Sequence, residues 1–155
     1  MSGATATDDA PAGDPIQVAF VCVQNAGRSQ MAYAFAKGAR EARNVGDRVE
    51  FLTGGTDPAD HVHPEVVEVM AELDFDLAVR TPRAVTPEEI ETCDIVITMG
   101  CSAEDVCPAT WRGDARDWAL VDPHGEDLDG VRTIRDEIAD RVDGLLDELE
   151  VGARV

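Results

Sequence analysis

Val18-Ala19-Phe20-Val21-Cys22-Val23-Gln24-Asn25-Ala26-Gly27-Arg28-Ser29-Gln30-Met31-Ala32 is the stretch on which the reading of this 155-residue chain turns. The apolar run 16–22 reads as a buried parallel strand. It ends in a cysteine, and Arg28 and Ser29 follow after five residues. Residues 28–43 then read as a helix, with Met31, Phe35 and Ala39 four apart on one face. A strand-to-helix turn of this kind gathers successive backbone N–H groups at a helix start. That makes a cradle for a tetrahedral oxyanion from Val23, Gln24, Asn25, Ala26, Gly27 and Arg28. Cys22 sits at the same helix start beside a guanidinium, and both favour a nucleophilic thiolate. Asn25 can fix the loop through its side chain. Gly27 is expected to take a dihedral that other residues resist. Ser29 can donate a hydrogen bond to the thiolate, or serve as a helix-start hydroxyl.

Outward from this stretch the elements alternate. Residues 48–54 read as a second strand, followed by the Gly54-Gly55-Thr56-Asp57-Pro58 loop. Pro64 suits the first turn of a helix with Val66, Val67, Met70 and Leu73 on its apolar face. Thr86 caps another helix start. Residues 93–99 read as a third, buried strand and 118–121 as a short fourth. Val131, Ile134, Ile138, Val142, Leu145 and Leu149 recur at helical spacing in the last element. The long connections imply an α/β fold with a four-stranded parallel sheet flanked by helices. Ligands of such sheets bind at strand carboxyl ends, where Cys22, Cys101 and Asp122 all fall.

Composition narrows the class. A hydrophobic content of 44% suits one globular core, read as a single domain over 16–150. Residues 1–15 read as a disordered acidic N-terminal tail without the pattern of a signal peptide. No apolar run approaches the roughly 20 residues of a membrane span, so no membrane association is expected and the location reads as cytoplasmic. The net charge is −19, and Lys37 is the one lysine among 13 basic residues. Such a surface suits a salt-rich, halophilic cytoplasm, and it argues against nucleic acid as a partner. It does not preclude anion binding, because the cradle field is local and the Debye length is only about 3 Å near 1 M salt.

Four cysteines, Cys22, Cys93, Cys101 and Cys107, point to reduced, reactive thiols in a cytoplasmic protein. Cys101 and Cys107 flank five residues. If those are helical, the pair spans roughly 9 Å along the axis and points about 120° apart. A disulfide wants Cα atoms roughly 4.4–6.8 Å apart, so bonding would require unwinding. Two unrelated thiols are the alternative. Cys93 reads as core. No metal site or cofactor is expected, since these cysteines with His61 and His63 fit no usual ligand spacing. His61, His63 and His124 are assigned no chemistry. Asp122 before Pro123 can protonate a leaving oxygen, or simply form an Asp-Pro turn.

The segments Cys22 to Ala32, Gly55-Thr56-x-Pro58 with Val62-His63-Pro64, Thr98-Met99-Gly100-Cys101 and Asp122-Pro123 resemble those of the low-molecular-weight protein tyrosine phosphatase family. Within it they are most similar to the thiol-coupled arsenate reductases. The resemblance covers about residues 16–150 and implies a flavodoxin-like three-layer sandwich. It implies a relay for arsenate reduction and arsenic detoxification in which Cys22 attacks arsenate, held by the loop and Arg28. Asp122 then protonates the departing oxygen, Cys101 attacks the Cys22 sulfur, and Cys107 attacks Cys101. Thioredoxin or another cellular thiol would reduce the final pair. The alternative is a phosphatase that hydrolyses phosphotyrosine or aryl phosphates through a Cys22 phosphocysteine. A non-catalytic oxyanion or redox-sensing module is the third reading, against which Cys22, Arg28 and Asp122 together argue.

Overall fold

The sheet takes its shape from alternation along its central strand. In a computed structural model describing residues 15–154, β1 (Ile16–Cys22) turns Val18 and Phe20 to one face and Ala19 and Val21 to the other, all without exposure. A strand buried on both faces needs cover on both, which requires three layers. On the Phe20 side lie α1 (Arg28–Ala42), α2 (Pro64–Ala71) and α5 (Leu128–Arg154). On the Val21 side lie the short α3 (Pro87–Glu91) and the single turn α4 (Ala103–Val106). The expected tail over 1–15 lies outside the described residues except for Pro15.

All four strands are parallel, in the order β2-β1-β3-β4, with β2 at Val49–Gly55, β3 at Ile95–Met99 and β4 at Asp114–Asp117. The chain leaves β1 toward β2 on one side and returns to β3 on the other. The carboxyl end of β1 is therefore the switch point at which ligands of such sheets sit. Cys22 is there, in register with Gly55 of β2 and Met99 of β3.

Local signals set the helix ends. Pro64 occupies the first turn of α2. Thr86 caps α3 in a reciprocal capping box with Glu89. Val131, Ile134, Ile138, Val142, Leu145 and Leu149 are all buried along α5, as their spacing requires. Arg132 and Arg135 of α5 both pair with Glu72, just past α2. Among the described residues, no helix is long and apolar enough to cross a membrane.

Two expectations shift. The fourth strand is Asp114–Asp117 rather than 118–121. It is an edge strand with little burial, so it carries no apolar signature, and its pairing to β3 is a backbone matter. The apolar run beyond it leaves the sheet. Trp118 packs its ring 5.9 Å from that of Phe20, while Val121 is exposed. The third strand begins at Ile95, because Cys93 still donates its N–H to Ile90 O and closes the turn of α3.

Candidate active site

The loop after β1 is held open by what lies outside it. The carbonyls of Cys22, Val23, Gln24 and Ala26 accept hydrogen bonds from the N–H groups of Thr56, Asp57, Ala59 and His63, at 2.8–3.2 Å. With those carbonyls tied to the 56–63 segment, the loop N–H groups face the cleft. The Asn25 N–H is aimed at Cys22 Sγ, 3.2 Å away. Close packing demands Gly55 behind the loop: a Cβ there would lie 2.4 Å from Val23 O. Helix α1 starts at Gly27 with no side-chain cap. Its first-turn N–H groups and the positive end of its dipole are thus available to an anion.

The left-handed residue of the loop is Asn25, at φ 52, whereas Gly27 has φ −142. Asparagine tolerates this region when its side chain is well bonded. Here Asn25 Nδ2 donates to Ser29 Oγ at 2.8 Å and to Thr53 Oγ1 at 2.9 Å. Ser29 Oγ lies 2.8 Å from Cys22 Sγ. Asn25 and Ser29 are fully buried and Cys22 is 4% exposed. The sulfur is thus surrounded by hydrogen-bonding groups in a region of low dielectric, where such bonds count for more than in water.

Arg28 projects over the cleft, with Nη1 donating to Leu120 O at 3.0 Å and Nη2 3.8 Å from Asp122 Oδ2. Gly100, at φ +89, lets the guanidinium lie against the backbone, since a Cβ there would be 2.6 Å from Nη2. Gly100→Ala is expected to displace the guanidinium and raise the Kd for inorganic phosphate by about tenfold or more, the worth of a hydrogen bond to a charged group. Calorimetric titration checks this, and an unchanged Kd contradicts it.

Asp122 serves two geometries at once. Its Oδ1 accepts from His124 N at 3.0 Å, the turn expected of Asp-Pro, and its mostly exposed carboxylate lines the cleft. The cleft holds about 260 Å³ and is bounded by Cys22, Val23, Gln24, Ala26, Gly27, Arg28, His63, Gly100, Asp122, Pro123 and His124. The two histidines were not expected there. Their rings stand 5.1 Å apart, and burial, then His124, hold the His63 imidazole below its ordinary range.

Cys101 and Cys107 lie on either side of α4 and pack on the Val21 face of the sheet. The intervening segment is helical over 103–106, the case in which a disulfide requires unwinding. Cys101 follows Gly100 at the end of β3 and has its Sγ 3.7 Å from Val21 O. Burial first, then proximity to Cys22, pushes its thiol up to about 11. Burial also raises Cys107, and takes Cys93, in the core as expected, to about 11. Among the described residues all four thiols are free, and no cluster of side chains could hold a metal ion.

Residues 17–154 match the low molecular weight phosphotyrosine protein phosphatase family. The chain belongs to that family. An inferred arsenate reductase of Halobacterium salinarum is 61% identical over 83% of this chain and 89% of its own length. A thioredoxin-dependent arsenate reductase of Corynebacterium glutamicum superposes with a TM-score of 0.71 at 36% identity, covering 89% of this chain. This chain spans 64% of that structure. An arsenate reductase solved in a phosphate-binding state superposes at 0.70 with 28% identity, over 86% of this chain and 98% of that one.

The fold also positions groups whose role the sequence did not reveal. Thr53, Gln30 and the 56–63 brace stand behind the loop. Gln30 and parts of 56–63 fall within the family-like segments, but their spacing does not show that they hold the loop from behind. His63 next to Pro64 and His124 two residues after Asp122 were visible in sequence, but nothing there places the two rings together.

Proposed function

We propose that this chain reduces arsenate to arsenite through a thiol–disulfide relay over Cys22, Cys101 and Cys107, in the service of arsenic detoxification. The observation that carries the reading is a thiol at the floor of an anion cradle with a second thiol just past the neighbouring strand end. A phosphatase resolves its adduct with water and needs no second sulfur. Similarity to arsenate reductases over most of the chain supports the same reading.

Arsenate occupies the cradle, bound by the loop N–H groups and Arg28. Cys22 thiolate attacks arsenic, and one oxygen departs as water with a proton from Asp122. Cys101 thiolate then attacks the Cys22 sulfur. An S–S bond forms, the S–As bond breaks, and its electron pair stays on arsenic, which leaves as arsenite. Cys107 attacks the Cys101 sulfur, Cys22 is freed, and the Cys101–Cys107 disulfide remains. Forming it unwinds α4 and presents the disulfide to a thiol reductant, thioredoxin or another, in the cytoplasm.

The raised Cys101 thiol sets the pH dependence. Well below about 11, its thiolate fraction rises with pH, so the sulfur-transfer step accelerates toward alkali. Reduced protein mixed with arsenate in the absence of reductant is expected to release one arsenite per chain and to lose two thiols. The rate should climb by up to about tenfold per pH unit between about pH 7 and 9. Hydrolysis of aryl phosphate with no arsenite formed, and all thiols retained, would assign the phosphatase reading instead.

A further inference from the structure

A line of buried side chains runs from Cys22 away from the cleft to a second cavity, beside α1. At its outer end stands Arg80, half-buried, its guanidinium 4.7 Å over the Tyr33 ring. The cavity there, about 260 Å³, is lined by Tyr33, Lys37, Glu41, Asp76 and Arg80 among others. Arg28, Arg83, Arg116, Arg132, Arg135 and Arg141 each pair with a carboxylate, whereas Arg80, among the described residues, does not. In a chain of charge −19, that leaves its positive charge uncompensated at close range. Its Nε–H is committed to Gln30 Oε1 at 3.2 Å.

We propose that Arg80 is a positioning residue for the Cys22 thiolate: it fixes the polarity of the Gln30-Asn25-Ser29 chain so that every donor points at the sulfur. The guanidinium has donors and no acceptor, so the Gln30 carbonyl must face it and the Gln30 amide nitrogen must face inward. Gln30 Nε2 then donates to Asn25 Oδ1 at 3.0 Å, joined there by the Arg83 N–H at 3.0 Å. Two donors on that oxygen turn Asn25 Nδ2 toward Ser29 Oγ and Thr53 Oγ1. The Thr53 hydroxyl spends its own proton on Phe20 O at 2.8 Å. Ser29, accepting from Asn25, is left to donate to Cys22 Sγ.

Asn25, Ser29 and Gln30 are fully buried, so a reversed amide would set donor against donor without water to relieve it. Bonds in series also polarise one another at low dielectric. A cation at the outer end and an anion at the inner end is the sense that favours the thiolate.

The proposal rests on Cys22 as the reacting thiol. Its test is iodoacetamide labelling of the reduced protein across about pH 5 to 9, mapped by peptide, in the wild type, Arg80→Met and Arg80→Lys. The methionine keeps an apolar stem over Tyr33 but loses charge and donor; the lysine keeps both. In Arg80→Met, labelling of Cys22 near neutral pH is expected to fall about three- to tenfold, with the profile displaced toward alkali. Arg80→Lys should recover most of the loss. A methionine profile that superimposes on wild type, with Cys22 still the labelled thiol, overturns the role of Arg80 alone, as does a lysine variant no better than methionine. Preferential labelling of another cysteine in the wild type overturns the reading of Cys22, and this proposal with it.

Discussion

Cys22→Ser is expected to abolish arsenate reduction and to cut aryl phosphate hydrolysis by about 10⁴-fold or more, the usual scale for loss of a covalent nucleophile. Under the proposed relay, both reactions begin with one attack by the same sulfur. A serine hydroxyl is a weak nucleophile without a base to activate it. The nearest side chain to that sulfur is Ser29, itself a hydroxyl that is already accepting from Asn25. The cradle, by contrast, is built from backbone held by the 56–63 segment and from Arg28, so it survives the substitution. Inorganic phosphate should therefore bind the variant with a Kd close to that of the wild type. Steady-state rates with both substrates, beside calorimetric phosphate binding, check the prediction. Hydrolysis well above that residual would point to a different nucleophile.

Where a residue's role is local, the sequence shows it. The strand, cysteine, loop, arginine and helix of 16–42 lie within one contiguous stretch, and β1, the cradle and α1 follow from it. Pro64, Thr86 and the α5 stripe are likewise local signals with local causes. Edge strand β4 was misplaced because its pairing depends on β3, where Ile95 is in register with Asp114, and not on its own exposed side chains. Within the loop, glycine was the natural candidate for the unusual dihedral. Asn25 takes it because its side chain is held by Ser29 and Gln30 nearby and by Thr53 and Arg83, both distant in sequence.

The same distinction separates the parts of the candidate site. Cys22, Arg28 and Asp122 do line one cleft, but Asp122 reaches it from the loop beyond β4, not from a strand end as expected, because β4 stops at Asp117. Gly100 was visible in Thr98-Met99-Gly100-Cys101, but its reason is three-dimensional: the Arg28 guanidinium occupies the space a side chain would take. His63 and His124 come together because the start of α2 and the Asp122 turn meet on the same rim. Arg80 carries no motif at all. Its place on the hydrogen-bond line follows from a 3₁₀ turn at Leu77–Val79 that delivers it to Gln30 on α1.

Cys101→Ser separates reduction from hydrolysis most sharply. With serine at 101 the first attack still takes place, since Cys22, Arg28 and Asp122 are unchanged, but the arsenic adduct has no second sulfur to take it. Its S–As bond can only be exchanged with water, which returns arsenate, because the electron pair reaches arsenic only when a thiolate takes the Cys22 sulfur. Aryl phosphate hydrolysis uses water at that step and serves as a control for folding and for the cradle. The measurement is arsenite formed over repeated turnovers by Cys101→Ser, supplied with thioredoxin and its reductase. The account predicts a loss of about a hundredfold or more in that rate, on the scale of removing a reacting group, with aryl phosphate hydrolysis kept within a fewfold of wild type. Arsenite turnover at the wild-type rate would contradict it.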